Sequence, residues 1–166
     1  MTERDRRDAA FAALYEAHYR AIFRYVLVAR GPSNAEDLVA ETFQKAYIAW
    51  RGDALAITSP IGWLLTIARR TVIDAARRDR RRPSQRLGDH EPVAPDVLRA
   101  RETWMWFDAV TRDLPEHARQ ALYMRYAGGL SAEEIGTVLG LSASGVRTAI
   151  GRALVVIRQR EQEDGR

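Results

Sequence analysis

A helical period runs through Phe11, Leu14, His18, Ile22, Tyr25 and Val26, and this spacing of three and four predicts one long amphipathic helix ending near Gly31-Pro32. Ser33 or Asn34 then offers a side-chain oxygen to the free amides of a second helix, whose positive end suits Glu36 and Asp37. The second helix buries Leu38 or Val39, Phe43, Ala46, Tyr47 and Trp50. RGDALAITSP, residues 51–60, breaks the pattern. A third helix follows with Pro60 in its first turn and Ile61, Leu64, Leu65, Ala68 and Val72 as its buried stripe, running into RRDRRRPS.

The segment PSQRLGDHEPVAP holds three prolines and little apolar content, which reads as an exposed linker. Helices resume near Asp96: one over about 96–112 with Trp104, Phe107 and Val110 on its apolar side, another from Pro115 to Gly128-Gly129, where glycine accepts a left-handed cap. No period-two alternation occurs, so the expected fold is all-α, two small helical domains joined by a flexible linker.

The last two helices have the spacing of a helix-turn-helix. Ser131 and Glu134 form a capping-box pair ahead of a short helix that closes at Gly140. Leu141 is the turn's apolar residue, Ser142 caps the next helix, and Val146, Ile150, Leu154 and Ile157 face inward. Ser144, Arg147, Thr148, Gly151 and Arg152 fall on the opposite face, near the helix start. A helix entering the major groove presents such positions to base edges, where arginine grips guanine through two hydrogen bonds or holds a phosphate.

Charge sharpens this division. The net charge is only +4, but 25 of 26 basic residues are arginine, and the sequence pI is near 9.8. Residues 1–50 balance, residues 69–86 carry eight arginines against Asp74 and Asp79, and residues 87–116 reverse the sign. A modular chain with a nucleic-acid face has this alternation. There is no cysteine, and His18, His90 and His117 are scattered, which argues against a disulfide framework or a metal cluster. The N-terminus is charged and no apolar run approaches the roughly 20 residues needed to span a bilayer, so a cytoplasmic protein without membrane insertion is expected. No glycine-rich phosphate loop or metal-spaced acid set points to an enzyme, and no cofactor is implied.

Against this background LPEHARQALYMRYAGGLSAEEIGTVLGLSASGVRTAIGRALVVIR resembles the region-4 domain of extracytoplasmic-function (ECF) sigma factors of the sigma-70 family. NAEDLVAETFQKAYIAW is similar to their region-2.2 signature, and PIGWLLTIARRTVIDAARRDRRR resembles regions 2.3 and 2.4. The resemblance covers about residues 9–82 and 100–160, with 83–99 between them as linker. It implies a sigma subunit that binds core RNA polymerase, through the β′ clamp helices and the β flap, and promoter DNA. A cognate anti-sigma factor is a further implied partner.

Carried over by position, the resemblance gives Asp37, Leu38, Glu41, Thr42, Phe43 and Gln44 a core-binding role. It gives Trp63, Arg69, Arg70, Asp74, Arg77 and Arg78 a role at the melted downstream (−10) element, although the size of Trp63 favours burial. Ser144, Arg147, Thr148, Gly151 and Arg152 would read the upstream (−35) element. Two departures narrow the expectation. Arg70 stands where the family usually has asparagine, which exchanges a base contact for a phosphate contact. Ala149 and Gly151 stand where basic and larger side chains are common, leaving readout to Arg147, Thr148 and Arg152. Competing readings are a response-regulator-type DNA binder, which lacks support in the three-helix N-terminal half, and an interaction protein that occupies polymerase or an anti-sigma factor without promoter activity.

Overall fold

The computed structural model describes residues 2–52, 57–81 and 95–164. Among them are seven helices and no strand: α1 (Glu3–Arg30), α2 (Ala35–Gly52), α3 (Pro60–Arg81), α4 (Pro95–Thr111), α5 (Glu116–Tyr126), α6 (Ala132–Leu139) and α7 (Ala143–Asp164). The all-α expectation holds. Most of the stretch read as linker lies outside the described residues, but its last part, 95–99, is already helical in α4.

Helix α1 starts on a capping box, with Thr2 Oγ1 accepting from the Asp5 amide and the Asp5 carboxylate accepting from the Thr2 amide. Its first half has one apolar stripe, and Phe11 packs edge-on to Tyr47 with ring centroids 5.1 Å apart. Polar ties fix the same junction: Tyr47 Oη donates to Asp8 at 2.9 Å and Trp50 Nε1 to the Arg7 carbonyl at 3.2 Å.

The second half of α1 departs from a single stripe. Ile22, Phe23, Tyr25, Val26, Leu27 and Val28 are all buried, so the helix is apolar around most of its circumference and needs neighbours on several sides. Helices α2 and α3 cover one side, while α4 and α5 from the C-terminal half cover another. One continuous core therefore runs from Phe11 through Leu64, Leu65 and Ala68 to Met124, Ile135 and Val146. Each fully buried leucine in it contributes about 1.5–3 kcal/mol.

The start of α2 differs from the expected side-chain cap. Asn34 takes the left-handed conformation, φ +58°, which asparagine tolerates better than most residues. Backbone carbonyls begin the helix, Pro32 accepting from Ala35 and Asn34 from Leu38. Both Leu38 and Val39 are buried, resolving the alternative between them.

The helix-turn-helix forms as its sequence predicts. Ser131 Oγ accepts from the Glu134 amide at 3.1 Å, and Glu134 accepts from the Ser131 amide at 2.8 Å. Gly140 ends α6 in the left-handed conformation, φ +71°. Ser142 Oγ then accepts from the Gly145 amide at 3.0 Å and its carbonyl from Val146 at 2.9 Å, starting α7. The turn folds tightly over Gly136, where an added Cβ would lie 2.5 Å from the Leu141 carbonyl oxygen. Gly136→Ala is therefore expected to destabilise the protein by about 1–3 kcal/mol, because backbone must move to admit the methyl group. A urea midpoint unchanged from the parent would contradict this close approach.

Candidate nucleic-acid and polymerase interfaces

The five positions expected to face upstream DNA lie together on the open side of α7: Ser144, Arg147, Thr148, Gly151 and Arg152 are all exposed, while Val146 and Ala153 are buried beneath them. The stripe has divided surroundings. Arg147 leans toward α6 and donates to Glu133 Oε1 at 3.2 Å. Ser144, Thr148 and Arg152 border a groove of about 480 Å³ shared with Pro115 and His117 at the start of α5. Ala149 lines that groove, and Gly151 has open space where a side chain would stand.

Glu133 was not anticipated as part of this face. Its carboxyl is held below the ordinary glutamate range by its own backbone amide first and by Arg147 second. The signal was present in the turn length, because a first-turn acid of α6 and the Val-Arg step of α7 are brought together by any tight helix-turn-helix.

On α2 the structure separates the residues assigned to core polymerase. Asp37 and Gln44 are exposed and Glu41 is half-buried. Leu38, Thr42 and Phe43 are not surface residues: they are 5%, 0% and 4% exposed, and Thr42 Oγ1 is spent on the Leu38 carbonyl at 2.6 Å. In this structure these three side chains pack inward, and reaching them would require α2 to leave the core. The open side of α2 is a shallow groove of about 640 Å³ lined by Asp37, Ala40, Glu41, Gln44, Lys45 and Ile48. Ile48, 65% exposed, was overlooked, though 37, 41, 44 and 48 follow one helical face.

On α3, Arg70, Arg77 and Arg78 are exposed, whereas Arg69 and Asp74 are half-buried. Trp63 is half-buried against the core, with its ring 6.3 Å from that of Trp50, so packing claims part of its surface. An ion-pair chain joins α3 to α2. Arg78 grips both carboxylate oxygens of Glu41 at 3.3 and 2.8 Å, and Lys45 lies 2.9 Å from Glu41 and 3.8 Å from Asp74. Asp74 is 3.9 Å from Arg77. Residues assigned to different partners thus touch each other directly through Arg78 and Glu41, and Lys45, absent from the expected set, adds a second link from Glu41 to Asp74.

A helix-turn-helix with an open arginine-bearing face, beside an arginine-rich helix and an acidic-apolar groove, defines a modular transcription protein. Comparison with known proteins agrees block by block: the model for Sigma-70 region 2 matches residues 14–82 and that for Sigma-70, region 4 matches residues 104–156. The chain is 30% identical over 163 residues to the ECF RNA polymerase sigma factor SigL of Mycobacterium tuberculosis, covering 95% of this chain and 92% of the relative. It is also 30% identical over 166 residues to the ECF RNA polymerase sigma factor RpoE of Cereibacter sphaeroides, covering 94% and 89%.

Among solved structures, the sigma factor RpoE bound to the anti-sigma factor NepR from Bartonella quintana has the same fold, with a TM-score of 0.68 at 21% identity over 90% of this chain and 95% of that one. CnrH in complex with the cytosolic domain of CnrY gives 0.65 at 23% identity over 95% and 90%. The chain belongs to the ECF sigma factors of the sigma-70 family, regulatory subunits for promoter-specific transcription initiation by RNA polymerase. No single helix among the described residues is long and apolar enough to cross a membrane.

The bidentate Arg78 contact, followed by Lys45, holds the Glu41 carboxyl below the ordinary glutamate range. A carboxylate with a depressed folded pKa adds stability that is whole above its unfolded value and is lost as pH falls through the folded one. Glu41→Gln is therefore expected to cost about 0.2–1 kcal/mol at neutral pH, the scale of a solvent-screened pair. The gap between parent and variant should close on acidification below the ordinary glutamate range. A gap that persists in acid would mean the cost is steric.

Proposed function

We propose that this sigma factor carries core RNA polymerase to promoters whose upstream element is read by α7 and whose melted downstream strand is held along α3. The observation that carries the reading is the exposed set Ser144, Arg147, Thr148, Gly151 and Arg152 on a helix whose start is fixed by a capped turn. The functional blocks are 9–82 for core and −10 binding and 100–160 for −35 binding, acting in the cytoplasm where polymerase works.

In the upstream complex Arg147 grips a base edge or phosphate, with Thr148, Ser144 and Arg152 alongside. Glu133 pairs with the same guanidinium in the free protein and is displaced when DNA is engaged, the pair being exposed and weak. Gly151 contributes closeness of approach without a contact of its own.

Downstream, Arg70, Arg77 and Arg78 neutralise the displaced strand, Arg69 and Trp63 bound the site, and Asp74 orients Arg77 and Lys45. Melting costs about 1.4 kcal/mol per stacked step, so backbone neutralisation and base capture along α3 must offset it. Core polymerase binds the α2 groove through Asp37, Glu41, Gln44 and Ile48, an acidic-apolar surface complementary to a basic β′ helix pair, while the β flap engages the C-terminal block. An anti-sigma factor is a further partner; the fold neighbours NepR-bound RpoE and CnrY-bound CnrH support this.

Arg147→Ala is expected to weaken upstream-element binding by about 1–3 kcal/mol and to relax preference at one or two base positions. A randomised promoter library transcribed with parental selectivity would refute base readout by this residue. For the polymerase face, Asp37→Lys with Gln44→Lys should sharply reduce co-purification with core at a cost of no more than about 1 kcal/mol of stability, since both side chains are exposed and only Asp37 sits at the positive end of α2. Undiminished holoenzyme would exclude the α2 groove. Glu41 is a poorer probe because its replacement also releases Arg78.

A further inference from the structure

We propose that His117, on the first turn of α5, completes the upstream DNA surface by holding a phosphate of the strand that passes beside α7. The inference deepens the reading of α7 as the helix that enters the upstream element, and rests on it.

The geometry lies in the groove beside α7. Ser144, Thr148 and Arg152 recur at every fourth residue and share one edge of the exposed face, while Pro115 and His117 form the other wall of the same groove of about 480 Å³. Core packing fixes the width: Leu114, Ala118 and Leu122 are buried with Ala153 of α7 in one apolar cluster. His117 itself is exposed. Neither His117 nor Arg152 has a hydrogen-bond or ion-pair partner among the described residues, whereas Arg147 is paired with Glu133.

A helix with its side chains is about 10–12 Å across and the major groove about 12 Å wide, so both strand backbones run close along a helix seated there. Side chains beside the exposed face of α7 therefore meet phosphate. On the α6 side stands Glu133, an acid; on the α5 side Arg152 and His117 line opposite walls. Backbone neutralisation next to α7 thus falls to the α5 side. The groove is otherwise lined by Ala149, Ala153 and Val156, an apolar surface that suits the deoxyribose between two phosphates.

The acids near His117 already have partners. Glu116, on the same turn, accepts from Gln120 at 2.7 Å, Asp113 pairs with Arg160 of α7 at 2.7 Å, and Asp108 of α4 pairs with Arg119 at 2.7 Å. Helix α1 meets α5 elsewhere: Tyr25 Oη donates to Gln120 at 3.0 Å, Tyr123 Oη donates to the Ala21 carbonyl at 2.7 Å, and Arg24 acts on Tyr123. Toward α6, Arg125 donates to the Leu130 carbonyl. Histidine gains its proton on acidification, so a phosphate contact through it strengthens as pH falls.

The probe is a fluorescein-labelled duplex carrying an upstream element recovered from the randomised promoter library, bound to holoenzyme and followed by anisotropy. Between about 50 and 200 mM salt, a slope of about 0.9 per phosphate contact makes one contact worth about 3–4-fold in lost affinity. Relative to His117→Gln, which keeps an N–H donor without the charge, the parent should lose about 3–4-fold more affinity over this range near pH 6 and no more near pH 8. His117→Arg should show the extra loss at both. Polymerase groups that titrate act equally on all three proteins, so the comparison isolates position 117.

Equal salt losses by parent and His117→Gln near pH 6 would overturn the contact. So would variants that bind the duplex as the parent does but co-purify poorly with core, which would make the groove a seat for a polymerase segment. Should His117→Gln lose helical circular dichroism, His117→Arg against the parent near pH 8 tests the same contact. Arg147→Ala in the same assay separates the proposal from the reading beneath it. A loss there with no change at position 117 sinks the phosphate contact alone, whereas a library with no preferred upstream sequence sinks both.

Discussion

The structure depends on the second half of α1. Six of the seven residues from Ile22 to Val28 are buried, and a helix apolar on nearly every side is stable in water only when sheathed. The N-terminal block supplies α2 and α3, which leaves part of the circumference bare. Helices α4 and α5 complete the sheath, so the two sigma regions of one short chain share a core. Surface-to-volume arithmetic favours the same outcome, because a three-helix block buries a smaller fraction of its surface alone than the combined body does.

That shared core sets what the remaining helices are free to do. With α1 central, α2 turns Leu38, Thr42 and Phe43 inward and leaves Asp37, Gln44 and Ile48 outside. With α6 seated on α3, α7 packs on α5 and α6 and its polar face stays open. The same packing that stabilises the fold therefore decides which expected contact residues are available and which serve as scaffold.

Local features were legible in the sequence because their causes are local. The Ser131–Glu134 capping box, the helix end at Gly140 and the inward stripe beginning at Val146 all depend on residues within a few positions of one another. The single stripe read along α1 was too narrow, since Phe23, Leu27 and Val28 look solvent-facing until α4 and α5 are placed beside them. Tyr25–Gln120 joins residues 95 positions apart and has no local signature. Glu41 and Arg78 were expected at separate interfaces, but their mutual contact depends on the α2–α3 crossing, which hydrophobic periodicity does not encode. The Asn34 start of α2 was misread because backbone carbonyls do what a capping side chain was expected to do.

The ion pairs between α2 and α3 and between α6 and α7 would leave the arginines proposed to meet nucleic acid available in the free state. Arg78 is 58% exposed in its pair with Glu41, Arg77 is 69% exposed beside Asp74, and Arg147 is 63% exposed beside Glu133. At such exposure each pair contributes little and is weakened further by salt. The carboxylates therefore fix where the guanidinium groups lie more than they hold them. A phosphate chain presents several charges at once and releases condensed counterions, so it wins against single exposed acids without any change in the helices. Had these pairs been buried, DNA binding would have required stranding a carboxylate in the core, at several kcal/mol. Their placement at the surface makes the exchange one that nucleic acid can complete.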